Sequence, residues 1–248
     1  MSVTSTDIVI YAAQNMPVDD TSTAGGAVNS GIRVVFDDIV ATDTVSLSGS
    51  SASDTGNITI TGRSAAGAVV TDTFAMSGTS LVAGTQSFER ILIAQTAAAA
   101  VGTIRVEDTS TNVAIGSIAA TESGFRRPFY DATANAAGGA AKTLYEKCFI
   151  ANNHATLALL GATVIEVSSG VYADMTFGLE ANVSSSQSVT DRTTVPTGVG
   201  SYGNGASGVP QTNLDPVTQH GMWLKFELAA GAAAQNSFYQ FQVSGTTT

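Results

Sequence analysis

Apolar and polar residues alternate along most of this chain. Ile32, Val34 and Phe36 share one parity while Arg33 and Asp37 take the other. Val45 and Leu47 alternate with Thr44, Ser46 and Ser48, and Ile58 and Ile60 with Asn57, Thr59 and Thr61. Ile104 and Val106 do the same against Thr103, Arg105 and Glu107. Successive side chains of a strand point to opposite faces, so each run predicts a half-buried strand with a wet outer face. Clusters of Gly, Ser, Asn and Asp separate the runs at a spacing that suits antiparallel sandwiches. The stretch GNITITGRSAAGAVVTDTFAMSG (56–78) predicts a hairpin around Ser64-Ala65-Ala66-Gly67. Asp72 shares parity with Val70, Phe74 and Met76, so its carboxylate must reach a sheet edge or find a partner.

A second block begins after about Ser123. Residues 132–141, ATANAAGGAA, predict a linker or wide loop. Apolar runs follow at Leu144–Ala151, Ala155–Val167 and Val171–Leu179. Met222, Leu224, Phe226 and Leu228 then alternate with Trp223, Lys225 and Glu227, and a last strand over Phe238–Val243 puts Tyr239, Phe241 and Val243 on one side. Residues 182–219, rich in Ser, Thr, Gly and Pro, have no period; a loop of that length suggests ordering by neighbouring copies. The expected fold is all-β, with two antiparallel β-sandwich-like domains, long Gly/Ser/Thr-rich loops and helix confined to short turns. The expected domains are 31–123 and 124–248, the second holding the loop 182–219, with their junction near 120–141. Residues 1–30 carry one apolar run, Ile8–Ala13, followed by Met16-Pro17 and TSTAGGAVNSG. Two readings of it stand: an arm whose Asp7–Tyr11 pairs with an edge of a shell or sister subunit, or the first strand of the 31–123 domain.

Composition narrows the function. Charged residues are 12% of the 248 positions, against about 25% in an average domain, and Ala, Gly, Ser and Thr dominate. Regular strands argue against disorder, so sparse charge points to a surface that other copies cover. The net charge is −10, the lysines are Lys142, Lys147 and Lys225, and Arg126 and Arg127 are the adjacent arginines. Tracking phosphates needs a basic stripe, so direct nucleic-acid binding is not expected. The start, MSVTSTDIVIYAAQ, has neither a basic region nor a long apolar one, and no run reaches the length of a membrane helix. The expectation is a chain made in a reducing cytosol, where Cys148, the single cysteine, forms no internal disulfide.

Candidate chemistry is thin. GVGSYG (198–203) fits G-x-G-x-x-G, but Pro196 precedes it and more Gly and Pro follow, so it predicts a flexible loop rather than a dinucleotide site. Cys148, His154 and His220 are the soft metal ligands, too few for a closed zinc site. Asp19-Asp20 and Asp37-Asp38 with Asp43 are the local carboxylate clusters; they read as loop caps, with a calcium site as the competing reading. No G-x-S-x-G elbow occurs, and a serine triad would have to draw on one of two histidines. Paired carboxylates for glycoside cleavage would lack aromatic platforms in a chain that is 7% aromatic. Asn57-Ile58-Thr59 and Asn182-Val183-Ser184 fit the glycosylation triplet without a secretion signal to support it. No catalytic, cofactor-binding or metal residue is therefore assigned, no cofactor is expected, and the chain reads as non-enzymatic.

The pattern NITITGRSAAGAVVTDTFAMSGTSLVAGTQSFERI resembles a module common in virion structural proteins of tailed bacteriophages. The segments YEKCFIANNHATLALLGATVIEV, FGLEAN, DRTTVPTGV and GMWLKFELAAGAA are similar to a C-terminal module of such proteins. The resemblance covers about two-thirds of the chain and implies a capsid decoration or cement protein on the outer surface of a phage head. Its implied partners are the major capsid protein or neighbouring virion subunits; sparse charge and the long loop add the expectation of copies of itself, as a trimer or lattice-filling homo-oligomer, and composition that of no membrane and no direct nucleic acid. The virion would be its location after synthesis in the host cytoplasm. The family brings no catalytic residues. The alternatives are a tail tube, collar or fibre-base subunit and a carbohydrate-binding host-attachment module. The last would need aromatics exposed in loops, whereas Trp223 and Tyr239 fall in predicted strands and Tyr202 alone sits in a glycine loop.

Overall fold

A computed structural model describes residues 2–129, 132–168, 175–183, 185–233 and 239–247. Among them there is no helix, and the fold is all-β. The first two strands are β1 (Ile8–Asn15) and β2 (Ala24–Val34). Then come β3 (Val45–Gly49), β4 (Asn57–Arg63), β5 (Val69–Ala75), β6 (Val82–Ala83), β7 (Arg90–Thr96), β8 (Ile104–Asp108), β9 (Ala114–Ile118) and β10 (Gly124–Arg126). The rest are β11 (Lys142–Asn152), β12 (Leu159–Ser168), β13 (Met175–Val183), β14 (Ser188–Val189), β15 (Ser207–Gly208), β16 (Asn213–Leu214), β17 (Thr218–Leu228) and β18 (Gln240–Thr247). Two compact units result, one of residues 30–127 and one combining 1–29 with 128–248. The chain passes from the second to the first within β2.

In the unit 30–127 the alternating runs do what their parity predicts. One sheet has the order β10-β7-β4-β5, with the end of β2 parallel to β10 (Gly124↔Ile32, Arg126↔Val34); the other has the order β6-β3-β8-β9. Their inward residues form one apolar cluster that includes Val45, Leu47, Ile58, Ile60, Phe74, Phe88, Ile104, Val106, Ile118 and Phe125. The opening hairpin is β4–β5, with Ile58↔Phe74 and Ile60↔Asp72 opposite each other. Its turn is closed by bonds from Ser64 N to Ala68 O and from Gly67 N to Ser64 O. Asp72 finds its partners beyond the sheet edge, where its carboxylate accepts Thr85 N at 2.7 Å and Gln86 N at 3.0 Å. β10 also belongs here, although the sequence reading opened the second block at residue 124.

The other unit departs further from the sequence reading. Its larger sheet runs β13-β17-β11-β1-β2, and its smaller one centres on β12, flanked by β18 on one side and by β15 and β16 on the other. Segment 1–30 is neither a free arm nor the first strand of the 31–123 block: β1 pairs antiparallel with β11 from Ile8↔Asn152 to Ala12↔Cys148. Val9 and Tyr11 pack with Ala151, while Ala12 and Ala13 are buried too, so this strand is covered on both faces. Burial on both faces also explains β11, in which every residue from Leu144 to Asn152 is buried. Trp223, assigned by parity to a wet face of β17, is fully buried.

The cover for that second face is the supposedly aperiodic loop. Within the chain itself, β14 pairs with β2, Val199 bridges Glu180, Gly203 bridges Phe177, and β15 and β16 pair with β12. The described residues of 182–219 thus pair within their own unit, where the sequence predicts a loop without period. The start of the run Val171–Leu179 and Phe238 of the last predicted strand lie outside the described residues.

Candidate functional site

The densest polar chemistry lies where that loop covers β11, β17 and β13. Register aligns the three strands: Lys147 faces Trp223, and Trp223 faces Gly178, two residues before Glu180. The Lys147 Nζ lies 2.8 Å from Glu180 Oε1, and Trp223 Nε1 donates to the same oxygen at 2.8 Å. Lys147 also donates to Ser185 O at 2.8 Å and sits 4.6 Å from the centre of the Phe149 ring, a cation–π distance. Gly221 makes room for the pair, since a Cβ there would collide with the Glu180 carboxylate and lie 3.1 Å from Lys147 Cε. Burial pushes the Lys147 ammonium below its ordinary pKa, with Glu180 pulling it back up. His220 sets its Nε2 2.6 Å from the backbone oxygen of Glu180, and burial likewise lowers its pKa below the ordinary histidine value.

A second ion group pins the loop's middle. Arg192, 1% exposed, reaches Asp20 Oδ1 at 2.8 Å and Glu146 Oε1 at 3.4 Å, and its backbone oxygen accepts Tyr145 N at 2.6 Å. Lys142 adds a bond to Asp20 Oδ2 at 2.7 Å, and Glu146 accepts Phe129 N at 2.7 Å. Burial alone would raise the Asp20 pKa, but the bonds from Lys142 and Arg192 outweigh it and hold the carboxyl below its usual value. Beside these groups, Tyr202 of the loop packs against Tyr145 with ring centroids 5.7 Å apart and planes tilted by 59°. A cavity of about 340 Å³ opens between β13 and the loop, lined by Glu180, Asn182, Ser185, Gln187 and Thr197 among others.

In the unit 30–127 carboxylates instead collect backbone N–H groups at strand ends. The buried Asp54 accepts Ser51 N at 3.1 Å and both Val101 N and Gly102 N at 3.0 Å, joining two loops. Asp38 accepts Ile91 N at 2.8 Å and pairs with Arg127, whose pKa burial lowers to about 10 against the pull of Asp37. Asp43 and Asp108 share Ser110 N, and a bond from the Ser110 hydroxyl, with another from Thr44 N, holds Asp43 down to about 2. Glu122 completes the set, ion-paired to Arg33 at 2.6 Å.

The residues singled out from sequence are thereby placed. GVGSYG is the strip that edges β13 and seats Tyr202; Gly198 takes the left-handed φ of +67° with open space around it, and the close approach is made by Gly178 of β13, where a Cβ would lie 2.7 Å from Val199. Cys148 is buried and burial raises its pKa, which leaves an inert thiol. His154 Nδ1 accepts Thr156 N and Leu157 N within a turn, and its role is local. Asp19 caps its own turn through Thr21 and Ser22, while Asp20 turns to Lys142 and Arg192; of the other cluster, Asp38 turns to Ile91 N and Arg127, and Asp43 to Thr44 N and Ser110 N. Among the described residues no three His, Cys, Asp or Glu side chains group as metal ligands would. Asn57 opens β4 in an exposed position, and Ser184 of the other triplet lies outside the described residues.

Lys147, Glu146, Glu180, Arg192, Asp54 and Glu122 were missed by motif reading. A signal was present: YEKCF and FGLEA set charged residues inside apolar runs, where a lone charge cannot stay without a partner. Chemically these groups work as pins. The acids and bases are engaged with one another and with backbone, and they hold irregular chain against sheet. No protein-family model matches the chain, and comparison with curated proteins and with solved structures finds no similar protein.

Proposed function

We propose that the protein is a non-enzymatic structural subunit of a tailed-phage virion, a capsid decoration or cement protein that binds and stabilises the outer surface of the head. The observation that carries this reading is the use to which the charged side chains are put. Lys147, Glu180, Arg192 and Glu146 hold loop to sheet and Asp54 joins two loops, which suits a rigid surface presented to neighbours rather than a reacting site. The phage-like pattern NITITGRSAAGAVVTDTFAMSGTSLVAGTQSFERI supports the same reading, and it spans the hairpin β4–β5 through the start of β7. Low charge and small side chains add further support, because interface cores are depleted in charge. The partners would be the major capsid protein and other copies of this chain.

Electron cryomicroscopy of particles that carry the chain tests the proposal. All-β density of this size on the outer face of the head is the expected result. Density confined to the tail or collar would move the assignment to a tail subunit, and particles purified without the chain would overturn a virion role.

A further inference from the structure

Among the described residues, nothing pairs with the outer edge of β18; its other edge pairs with β12 from Ser168↔Gln240 to Leu159↔Thr247. Open edges are templates for further pairing, and β proteins normally blunt them with charges, proline or a covering segment. The edges of β13, β5 and β2 follow that rule. The loop bridges Gly203 and Val199 lie along β13, Asp72 ties residues 85 and 86 across β5, and β14 pairs with the outer side of β2. The open stretch of β18, Gln242–Thr247, reads QVSGTT, with neither a charge nor a proline. Apart from the partly buried Val243 it is exposed throughout, so its neutrality is not a demand of the core.

We infer that the outer edge of β18 from Gln242 to Thr247 pairs antiparallel with the same edge of a second copy, joining two β12–β18 sheets into one. The occupant follows from charge. A subunit with a net charge of −10 repels its own copies at long range, and a neutral strip is where two of them approach at least cost. A two-fold pair is self-complementary: it sets residues of equal parity opposite one another, so Val243 stays with the core-side set and Gln242, Ser244 and Thr246 with the solvent side. A charged edge would instead place like against like. Six residues of pairing bury less than a stable isolated dimer needs, so the contact is weak in dilute solution and becomes firm when copies are held side by side. The inference rests on the strand edge alone and stands whether or not the chain is a virion subunit.

Two measurements on the full chain test it. Sedimentation of the wild type up to millimolar concentration should show a reversible dimer. The exposed double substitution Gln242→Glu/Thr246→Glu should weaken that dimer about tenfold or more, with an unchanged thermal melt, because like charges then meet across the pair. A cysteine scan over Gln242–Thr246 should form an intermolecular disulfide most readily at one position and fall off on both sides, the signature of a two-fold axis at that residue. A wild type that stays monomeric, association that the two glutamates leave unchanged, or crosslinking no better than a control cysteine at the exposed Thr71 would each overturn the inference.

Discussion

The two units solve the same problem, covering a sheet, with different materials. In 30–127 one sheet covers another, and regular strands satisfy their own backbone groups, so apolar side chains such as Phe74, Ile104 and Phe125 suffice between them. Its buried carboxylates stay at the strand ends, collecting N–H groups of loops. In the other unit an irregular loop covers β11 and β17, and irregular chain brings backbone oxygens that have no strand to bond. There charged groups sit mid-strand: Lys147 of β11 pairs with Glu180 of β13 and takes Ser185 O of the loop, and Glu146 of β11 takes the loop's Arg192. A regular cover permits an apolar core, whereas an irregular cover requires ions inside it.

If that contrast is right, the largest single effect belongs to the mid-strand pair. Lys147→Met leaves the Glu180 carboxylate buried without its cation, and breaking a buried pair costs about 3–5 kcal/mol. Adding Glu180→Gln should recover part of the loss, because the stranded charge is then gone. Trp223 is the only tryptophan and lies in this unit, so its fluorescence during denaturant unfolding reads the effect directly. A cost below about 1 kcal/mol would break the comparison by showing that the pair behaves as a surface one.

Next in size is Asp54→Ala, the counterpart in 30–127. It strands the N–H groups of Ser51, Val101 and Gly102, and bonds to a charged group contribute about 1.5–3 kcal/mol. That unit holds no tryptophan or tyrosine, so calorimetry should record its lowered transition while the Trp223 transition stays in place. Movement of both transitions together would mean that the units do not unfold separately.

The contrast also explains what could be read from sequence. Strands of 30–127 were legible because each buries one face, and parity then names the core: Ile58, Ile60, Ile104 and Val106 are all inside. Parity failed for β1, β11 and β17, since a strand buried on both faces has no wet side to mark. Trp223 among Met222 and Leu224 looked like the outer residue of an alternating strand until a loop covered it. The pairing of β1 with β11 joins residues more than a hundred positions apart, and no local pattern encodes that partnership. The pins were half legible: charges inside YEKCF and FGLEA demanded partners, but only the folded register supplies them.

A smaller difference should separate two glycines with positive φ. Gly67, at φ +76°, closes the β4–β5 turn with nothing within 4 Å of a Cβ, so Gly67→Ala costs only the left-handed strain, about 1–2 kcal/mol. Gly25, at φ +94°, would bring a Cβ to 2.6 Å from Gln187 O and 2.8 Å from the Trp223 ring. Gly25→Ala should therefore exceed Gly67→Ala by about 1–3 kcal/mol, the usual cost of overpacking. Equal losses by calorimetry would show that the loop yields around Trp223 and is a looser cover than its contacts imply.

The least effect, and the sharpest discriminator, comes from mild acid. His220 is buried and its folded pKa lies below the ordinary 6.5, whereas the unfolded chain titrates near that value. Above 6.5 both states are neutral and folding costs nothing at this residue. As the pH falls below 6.5 the unfolded chain takes up a proton that the folded one resists, so stability declines until the folded pKa is reached. Asp43 behaves oppositely in the other unit: held down to about 2 against an ordinary 3.8, its contribution persists through mild acid and fades only as the pH falls from 3.8 toward 2. Between about pH 6.5 and 5 the Trp223 transition should therefore fall while that of 30–127 stays level. His220→Gln should flatten the slope of the Trp223 transition in this window, since a neutral amide has no proton to gain. A slope that survives the substitution would assign the acid sensitivity to some other group and remove His220 from the account of how the covering loop is held.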